Sequence, residues 1–123
     1  MGDTAAADPA AIHGWHAHVY YEPATRAAAE AVRQGIAAAF PQAQLGRWHD
    51  APIGPHARAM YQVAFAPSLL PTLLPWLMLN RRGLAVLVHP ETGRELSDHT
   101  HHAAWLGEML PVHTAMLHDA PPA

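Results

Sequence analysis

Gly14-Trp15-His16-Ala17-His18-Val19-Tyr20-Tyr21 is the stretch from which the fold is read. Aromatic and β-branched residues dominate it and its side chains alternate in character, so it is predicted as a β-strand. Residues two apart on a strand point to the same side of a sheet. His16, His18 and Tyr20 therefore share one face, and Trp15, Ala17 and Val19 the other. If the Trp15 face packs on helices, two imidazoles and a phenol are left on the open side.

Working outward, residues 1–12 are rich in Ala, Asp and Pro without periodicity and are expected to be a flexible tail, with a single domain over 13–118. After the strand, Pro23 and Thr25 open a helix whose apolar stripe is Ala28, Val32, Ile36 and Phe40, and Pro41 stops it. A short second strand is read over Ala43 to Trp48, then a loop with Pro52, Gly54 and Pro55. Arg58 to Ala66 alternates, with Tyr61, Val63 and Phe65 on one face, and is the third strand. Pro67-Ser68 opens a second helix carrying Leu69, Leu70, Leu73, Leu74 and Leu77. Pro75 inside it is expected to kink it, and Gly83 ends it. Leu84 to Val88 is a fourth, buried strand, Glu91-Thr92-Gly93 a turn, and Ser97 to Leu117 an extension with a short helix around Ala103 to Leu110. Trp15, Trp76 and Trp105 are expected in the core.

The order is βαββαβ. It predicts an α+β, ferredoxin-like fold with an antiparallel four-stranded sheet and a C-terminal extension. Strands one and three are expected at the centre, parallel to each other. Helices cover one face of such a sheet, and a second copy of the chain is the expected cover for the other, giving a homodimer of the dimeric α+β barrel type.

Composition narrows the function. The chain has 123 residues and a formal net charge of −3; it has no lysine, and its arginines are scattered. Nucleic acid and anionic membrane surfaces are therefore poor partners. No apolar run spans a bilayer, and the N-terminus lacks the basic and apolar regions of a secretory signal, so a cytoplasmic location is expected. With no cysteine, disulfides, thiolate metal sites and cysteine nucleophiles are excluded. The conspicuous count is 11 histidines.

Placed on the predicted topology, His16 at the start of strand one, His56 just before strand three and His89 just after strand four fall at one end of the sheet. Neutral imidazole is the commonest side-chain metal ligand. His16 lies nearest the predicted meeting point, and His18, deeper along the strand, is read as ligand or base. No carboxylate stands out to complete a site of two histidines and one acid, although Glu22, Glu91, Glu95 and Asp98 are available; an all-histidine site is therefore open. His13, His49, His113 and His118 are read as surface residues, and His101 and His102 stay ambiguous.

The chain resembles the DOPA 4,5-dioxygenase family. The resemblance is carried by Trp15-His16-Ala17-His18-Val19-Tyr20, Gly46-Arg47-Trp48-His49, Pro52-Ile53-Gly54-Pro55-His56 and Met60-Tyr61-Gln62-Val63-Ala64-Phe65. It continues through Leu79-Asn80-Arg81, Leu87-Val88-His89-Pro90-Glu91-Thr92-Gly93 and Asp98-His99-Thr100 to Trp105-Leu106-Gly107. It implies a dimer that cleaves a catechol such as DOPA beside its diol, using O₂ and Fe(II), with Zn or Ni as the metals otherwise found on isolation. The family's histidine motifs fall on His16, His18, His56, His89 and His99. The metal ligands are sought among His16, His18, His56 and His89, and the base is His99 or a non-ligand member of the His16/His18 pair. Tyr20 is a substrate-binding candidate on the histidine face, and Arg47 and Arg81 are candidates to hold a substrate carboxylate. Two alternatives remain: a metal-independent or haem-handling enzyme of the dimeric-barrel type, and a non-enzymatic protein that binds a metal or small ligand.

Overall fold

The computed structural model describes residues 5–119. β1 (Gly14–Tyr21) is followed by a 3₁₀ turn at Pro23–Thr25 and by α1 (Arg26–Ala39); then come β2 (Gln44–Leu45) and β3 (Ala59–Phe65). A 3₁₀ turn at Pro67–Leu69 leads into α2 (Leu70–Asn80), and β4 (Val86–Glu91), α3 (Glu95–His99) and β5 (Ala104–Leu106) complete the elements. The ferredoxin-like α+β order is present, and the sheet has five strands in the order β2-β3-β1-β4-β5, every pair antiparallel.

Three expectations are corrected here. β3 runs antiparallel to β1, with Trp15 opposite Phe65 and Tyr21 opposite Ala59. The reason is connectivity. A helical crossover makes β1 and β2 parallel with room for one strand between them, and β3 turns back from β2 into that gap, so it opposes both. The start of β3 therefore lies at the Tyr21 end of β1, away from His16. The helix expected around Ala103 to Leu110 is absent: Ala104–Leu106 is a strand paired with Val86–Val88, and the helix of this region is α3 instead. Pairing with the free edge of β4 outweighs the helix propensity of Ala and Leu, and Trp105 stacks on Tyr20 with ring centroids 5.7 Å apart. β4 begins two residues later than expected and extends through His89 and Pro90 to Glu91, which draws His89 into the ladder.

Pro75 sits within α2 and the helix runs through it. The carbonyl that loses its donor belongs to Pro71, one turn earlier, and both prolines lie on the exposed side of the helix. Of the expected tail, residues 1–4 lie outside the described residues; Pro9–Ala11 is a 3₁₀ turn capped by Asp8, whose Oδ1 accepts from Ala10 N at 2.9 Å.

The alternation along β1 divides the molecule. Ala17, Val19 and Tyr21 join Tyr61, Val63, Phe65, Val86 and Val88 in the main core under α1 and α2, which contribute Ala29, Val32, Ile36, Leu73 and Leu77. Trp15 and Trp76 pack at its margin rather than inside it. The indole of Trp76 lies where a Cβ on Gly35 would meet it at 2.6 Å, so the two helices approach through the bare face of that glycine. Tyr61 Oη donates to the carbonyl of Ala29 at 2.8 Å, tying β3 to α1. On the other face, Tyr20, Met60, Ala85, Leu87 and Leu110 form a second cluster beside Ala103 and Trp105. The chain's own C-terminal segment thus covers part of the face for which a second copy was expected.

Candidate active site

β1 and β4 place His16 directly opposite His89, and His18 between Leu87 on β4 and Gln62 on β3. The antiparallel sense of β3 carries the 50–57 loop to the far end of β1, yet His56 still reaches the site because the loop folds back under Tyr20. A bridge between His56 and Val112 holds the loop to the C-terminal segment. His99, on α3, enters from the side of β4. The hub is His18 rather than His16: its ring centroid lies 5.9 Å from His16, 4.2 Å from His56, 5.2 Å from His89 and 6.1 Å from His99. Together with Gln62, Glu91, Glu95, Asp98, Met116 and Leu117 these side chains line a cavity of about 370 Å³; His89 is fully buried behind them.

Hydrogen bonds set the tautomers. His89 Nδ1 lies 3.0 Å from the carbonyl of Pro90, which can only accept, so Nδ1 carries the proton and Nε2 the lone pair. His99 Nδ1 lies 2.7 Å from the carbonyl of Glu95, with the same consequence. His16 Nδ1 is 2.9 Å from Glu91 Oε1 and donates to it. Three rings are thus held from behind through Nδ1, the arrangement that metal-binding histidines show when carbonyls or carboxylates orient them. His56 Nδ1 and Tyr20 Oη are 2.7 Å apart.

His18 differs from these. Its Nε2 faces His89 Nε2 at 3.1 Å, while its Nδ1 is buried with no hydrogen-bond partner among the described residues. An unpaired buried polar atom costs about 1–3 kcal/mol, and such an atom in a polar cavity calls for a bound partner. Separately, the facing Nε2 pair has a spacing that suits a metal ion, since two nitrogens bound to one ion at about 2.1 Å stand roughly 3 Å or slightly more apart, the separation of His18 Nε2 and His89 Nε2. Two groups of donor atoms lie within 4.8 Å of one another, His16 with His18 and His89, and His18 with His56 and His99.

Burial disfavours the charged form of four of the rings, His16, His18, His56 and His89. Burial, reinforced by the neighbouring imidazoles, pushes His18 well below the usual histidine value. Burial, then His99 and His49, brings His56 down to about 4. Burial brings His89 to about 4 against the opposing bond to Pro90, and burial followed by His99 lowers His16. With His16 neutral, its contact with Glu91 is a hydrogen bond rather than an ion pair. Burial and then Asp98 raise Glu91 above the usual carboxylate value. Burial alone would raise Asp98, but the amide and hydroxyl of Thr92 and the ring of His102 bond to it and bring it below the usual value. Neutral imidazoles are metal-ready ligands and proton acceptors.

The two arginines proposed for a substrate carboxylate lie elsewhere. Arg47 is exposed and lines a separate concavity with Trp48 and Asp50. Arg81 donates from Nη1 to the carbonyl of Leu84 at 2.9 Å and lies against Gly107, whose φ of 76° and missing Cβ make room for it. Tyr20 is buried behind His56 and does not line the cavity. Of the histidines read as surface residues, His13, His113 and His118 are exposed, and His49 is half-buried in a bridge to Met60. His101 is exposed, and His102 is spent on Asp98. Sequence reasoning named Glu91 only as an available acid and missed its contact with His16. The signal was its place two residues after His89 on one strand, which puts both on one face. Gln62 was missed for want of the register that sets it opposite His18.

Comparison with known proteins agrees with the motifs. The model of the Dopa 4,5-dioxygenase family matches residues 15–116. The chain belongs to this family. It is 32% identical over 114 residues to a DOPA 4,5-dioxygenase of Amanita muscaria, covering 86% of this chain and 50% of that protein. It is 35% identical over 111 residues to an uncharacterised 21.2 kDa protein of Botryotinia fuckeliana, covering 81% of this chain and 61% of that one. The chain thus spans about half to three-fifths of the length of these curated relatives. A crystal structure of a provisionally assigned dioxygenase from Nostoc punctiforme superposes with a TM-score of 0.86 at 53% identity, covering 88% of this chain and 93% of that one. No helix among the described residues is long and apolar enough to cross a membrane.

Proposed function

We propose that the protein is a metal-dependent extradiol dioxygenase that opens the ring of a catechol with O₂. The observation that carries this reading is the buried His18, which faces His89 at 3.1 Å and has an unpartnered second nitrogen in a histidine-lined cavity. Membership of the family supplies the chemistry. In the overall reaction the ring carbon–carbon bond beside the diol breaks and both atoms of O₂ enter the semialdehyde product, so no further reductant is needed.

His16, His18 and His89 are the residues assigned to hold the metal, because they stand on adjacent strands and the first and last are oriented from behind by Glu91 and Pro90. When bound, Fe(II) supplies a Lewis acid for the catechol oxygens and a path for electron density from the ring to O₂. His99 has its Nε2 lone pair free and is the base that accepts a catechol proton. His56, steadied by Tyr20, lies against His18 and His99 and is either a further ligand or a second proton acceptor. Pro55, Met116 and Leu117 give the cavity an apolar side against which the ring would lie. The acting form is proposed to be a homodimer, which sedimentation tests directly.

The deciding experiment joins metal analysis of protein purified without a histidine tag to oxygen uptake with L-DOPA and other catechols. Iron-dependent uptake is expected. Its absence with every catechol tried overturns the reading and leaves metal or small-ligand binding as the function to pursue.

A further inference from the structure

A metal ion between the facing Nε2 atoms of His18 and His89 leaves His18 Nδ1 as it was, buried and without a hydrogen bond among the described residues. Binding also changes what that atom needs. Without a metal, His89 gives its Nδ1 proton to the carbonyl of Pro90 and turns an Nε2 lone pair toward His18. Two lone pairs do not face each other at 3.1 Å, so His18 Nε2 carries a proton and its Nδ1 a lone pair. A metal between the rings takes both Nε2 lone pairs. The proton that leaves His18 Nε2 is regained at Nδ1, which turns from acceptor to donor with no net change of charge. The other rings held through Nδ1 face acceptors that suit one form only, the carboxylate of Glu91 and the carbonyls of Pro90 and Glu95.

The two nitrogens of an imidazole point to nearly opposite edges of the ring. With Nε2 toward His89 on β4, Nδ1 turns toward β3, where the residue directly opposite His18 is Gln62. Gln62 is half-buried on the same face and lines the same cavity, and its carboxamide has no hydrogen bond with any described residue. The other polar neighbours of His18 on the sheet are committed: His16 Nδ1 to Glu91, the Tyr20 hydroxyl to His56, and His89 Nδ1 to Pro90. Around Gln62 itself stand Met60 and Ala64 on β3 and Gly46 beyond it, whose amide donates to the Gln62 carbonyl at 2.7 Å, so no polar side chain on that side competes for the carboxamide. Directly opposed residues of an antiparallel pair have Cβ atoms about 4.5–5.5 Å apart, a gap that a glutamine spans by rotating its side chain.

We propose that Gln62 is the positioning residue of His18, donating an N–H to Nδ1 in the metal-free protein and accepting from Nδ1–H through its oxygen once the metal is bound. A half-turn of the carboxamide exchanges the two roles, whereas a carboxylate serves only the second. This rests on the metal reading of His16, His18 and His89, and adds to it a residue of β3 and a change of tautomer on binding.

Nitrogen NMR of histidine-labelled full-length protein distinguishes the two tautomers. His18 is expected as Nε2–H without metal and as Nδ1–H with zinc, its Nδ1 proton protected from exchange. Gln62→Leu should weaken zinc binding by about 10- to 100-fold in competition with a chelator and leave that proton unprotected. Gln62→Glu should bind zinc at least as tightly as the wild type and yet melt a few degrees lower without metal, because a carboxylate oxygen then faces the Nδ1 lone pair. A glutamine with a merely structural role would not split these two readouts. Melting of the metal-free variants shows any loss of fold, and if Gln62→Leu does not fold, Gln62→Glu decides. Wild-type zinc affinity in Gln62→Leu, or a His18 tautomer that does not change on loading, overturns the inference. So does an Nδ1 proton that survives Gln62→Leu and is lost in His56→Ala, which gives the role to His56. A wild-type protein that binds no zinc takes the metal reading down together with this inference, whereas zinc binding that is indifferent to Gln62 removes the inference alone.

Discussion

Replacing His18 by alanine removes one donor from each of the two ligand groups at once, whereas loss of His16 touches only one of them. The zinc-dependent rise in melting temperature, which reports binding to the folded state, should therefore vanish in His18→Ala and shrink in His16→Ala. If both variants retain the full shift, the histidines do not form one site. Glu91 acts one step further out, through the bond from His16 Nδ1. Glu91→Ala should weaken zinc binding by about 10- to 100-fold, and Glu91→Gln, which keeps an oxygen acceptor, should recover part of that loss. Titration against a competing chelator measures both. At this scale the sequence was informative about residue type and silent about the contacts that give each type its role. The alternation of β1 put His16 and His18 on one face, but the partner of each Nδ1 depends on a carbonyl or carboxylate delivered by β4 and α3, and no periodicity reports that. The surroundings of Arg47 and Arg81 were hidden for the same reason. Both lie near element ends, but the first remains in solvent and the second turns to a backbone carbonyl.

The longer elements were largely readable, because α1 has an apolar stripe, β1 and β3 alternate and β4 is an apolar run between turn residues. The exceptions have physical causes. The sense of β3 follows from the crossover connections rather than from its own residues, and the error of taking it as parallel to β1 would have moved His56 to the wrong end of the sheet. Residues 103–110 carry helix formers, yet they lie beside an unpaired strand edge that claims Ala104–Leu106. That pairing ends at Gly107, where φ is 76° and the guanidinium of Arg81 occupies the space a Cβ would take. Gly107→Ala should destabilise the fold by about 1–2 kcal/mol in urea unfolding, since it combines a strained backbone with a displaced arginine. Leu77, fully buried beneath the sheet, marks the larger scale of such effects. Leu77→Ala should cost about 2–5 kcal/mol while leaving zinc binding to the remaining folded protein unchanged. A parallel loss of zinc affinity would show that the helix layer and the site are not independent.

For the molecule as a whole, the buried histidines set its response to acid. His56 and His89 titrate at about 4 when folded and near 6.5 when unfolded, and His18 and His16 are shifted in the same direction. The unfolded chain thus binds protons that the cavity refuses. The stability gained from these rings is complete above about pH 6.5, declines as pH falls toward 4, and changes little below that. The metal-free protein should lose on the order of 3 kcal/mol over this window for each of His56 and His89, as an upper figure, read as a falling urea midpoint. Bound zinc should hold the midpoint up until the ligands are protonated and the ion is released. A midpoint that is flat from pH 7 to 4.5 would contradict the buried, neutral state of the cluster. The alternation of β1 has a last consequence, for how this chain can change length. Odd positions of that strand build the core and even positions carry the chemistry, so one residue inserted between Trp15 and Val19 would send histidines into the oil-like interior and valine and alanine into the cavity. Folding and the histidine site cannot be lost separately by such a change. A change of length is better borne at an exposed turn away from both faces, such as Arg82-Gly83 after α2.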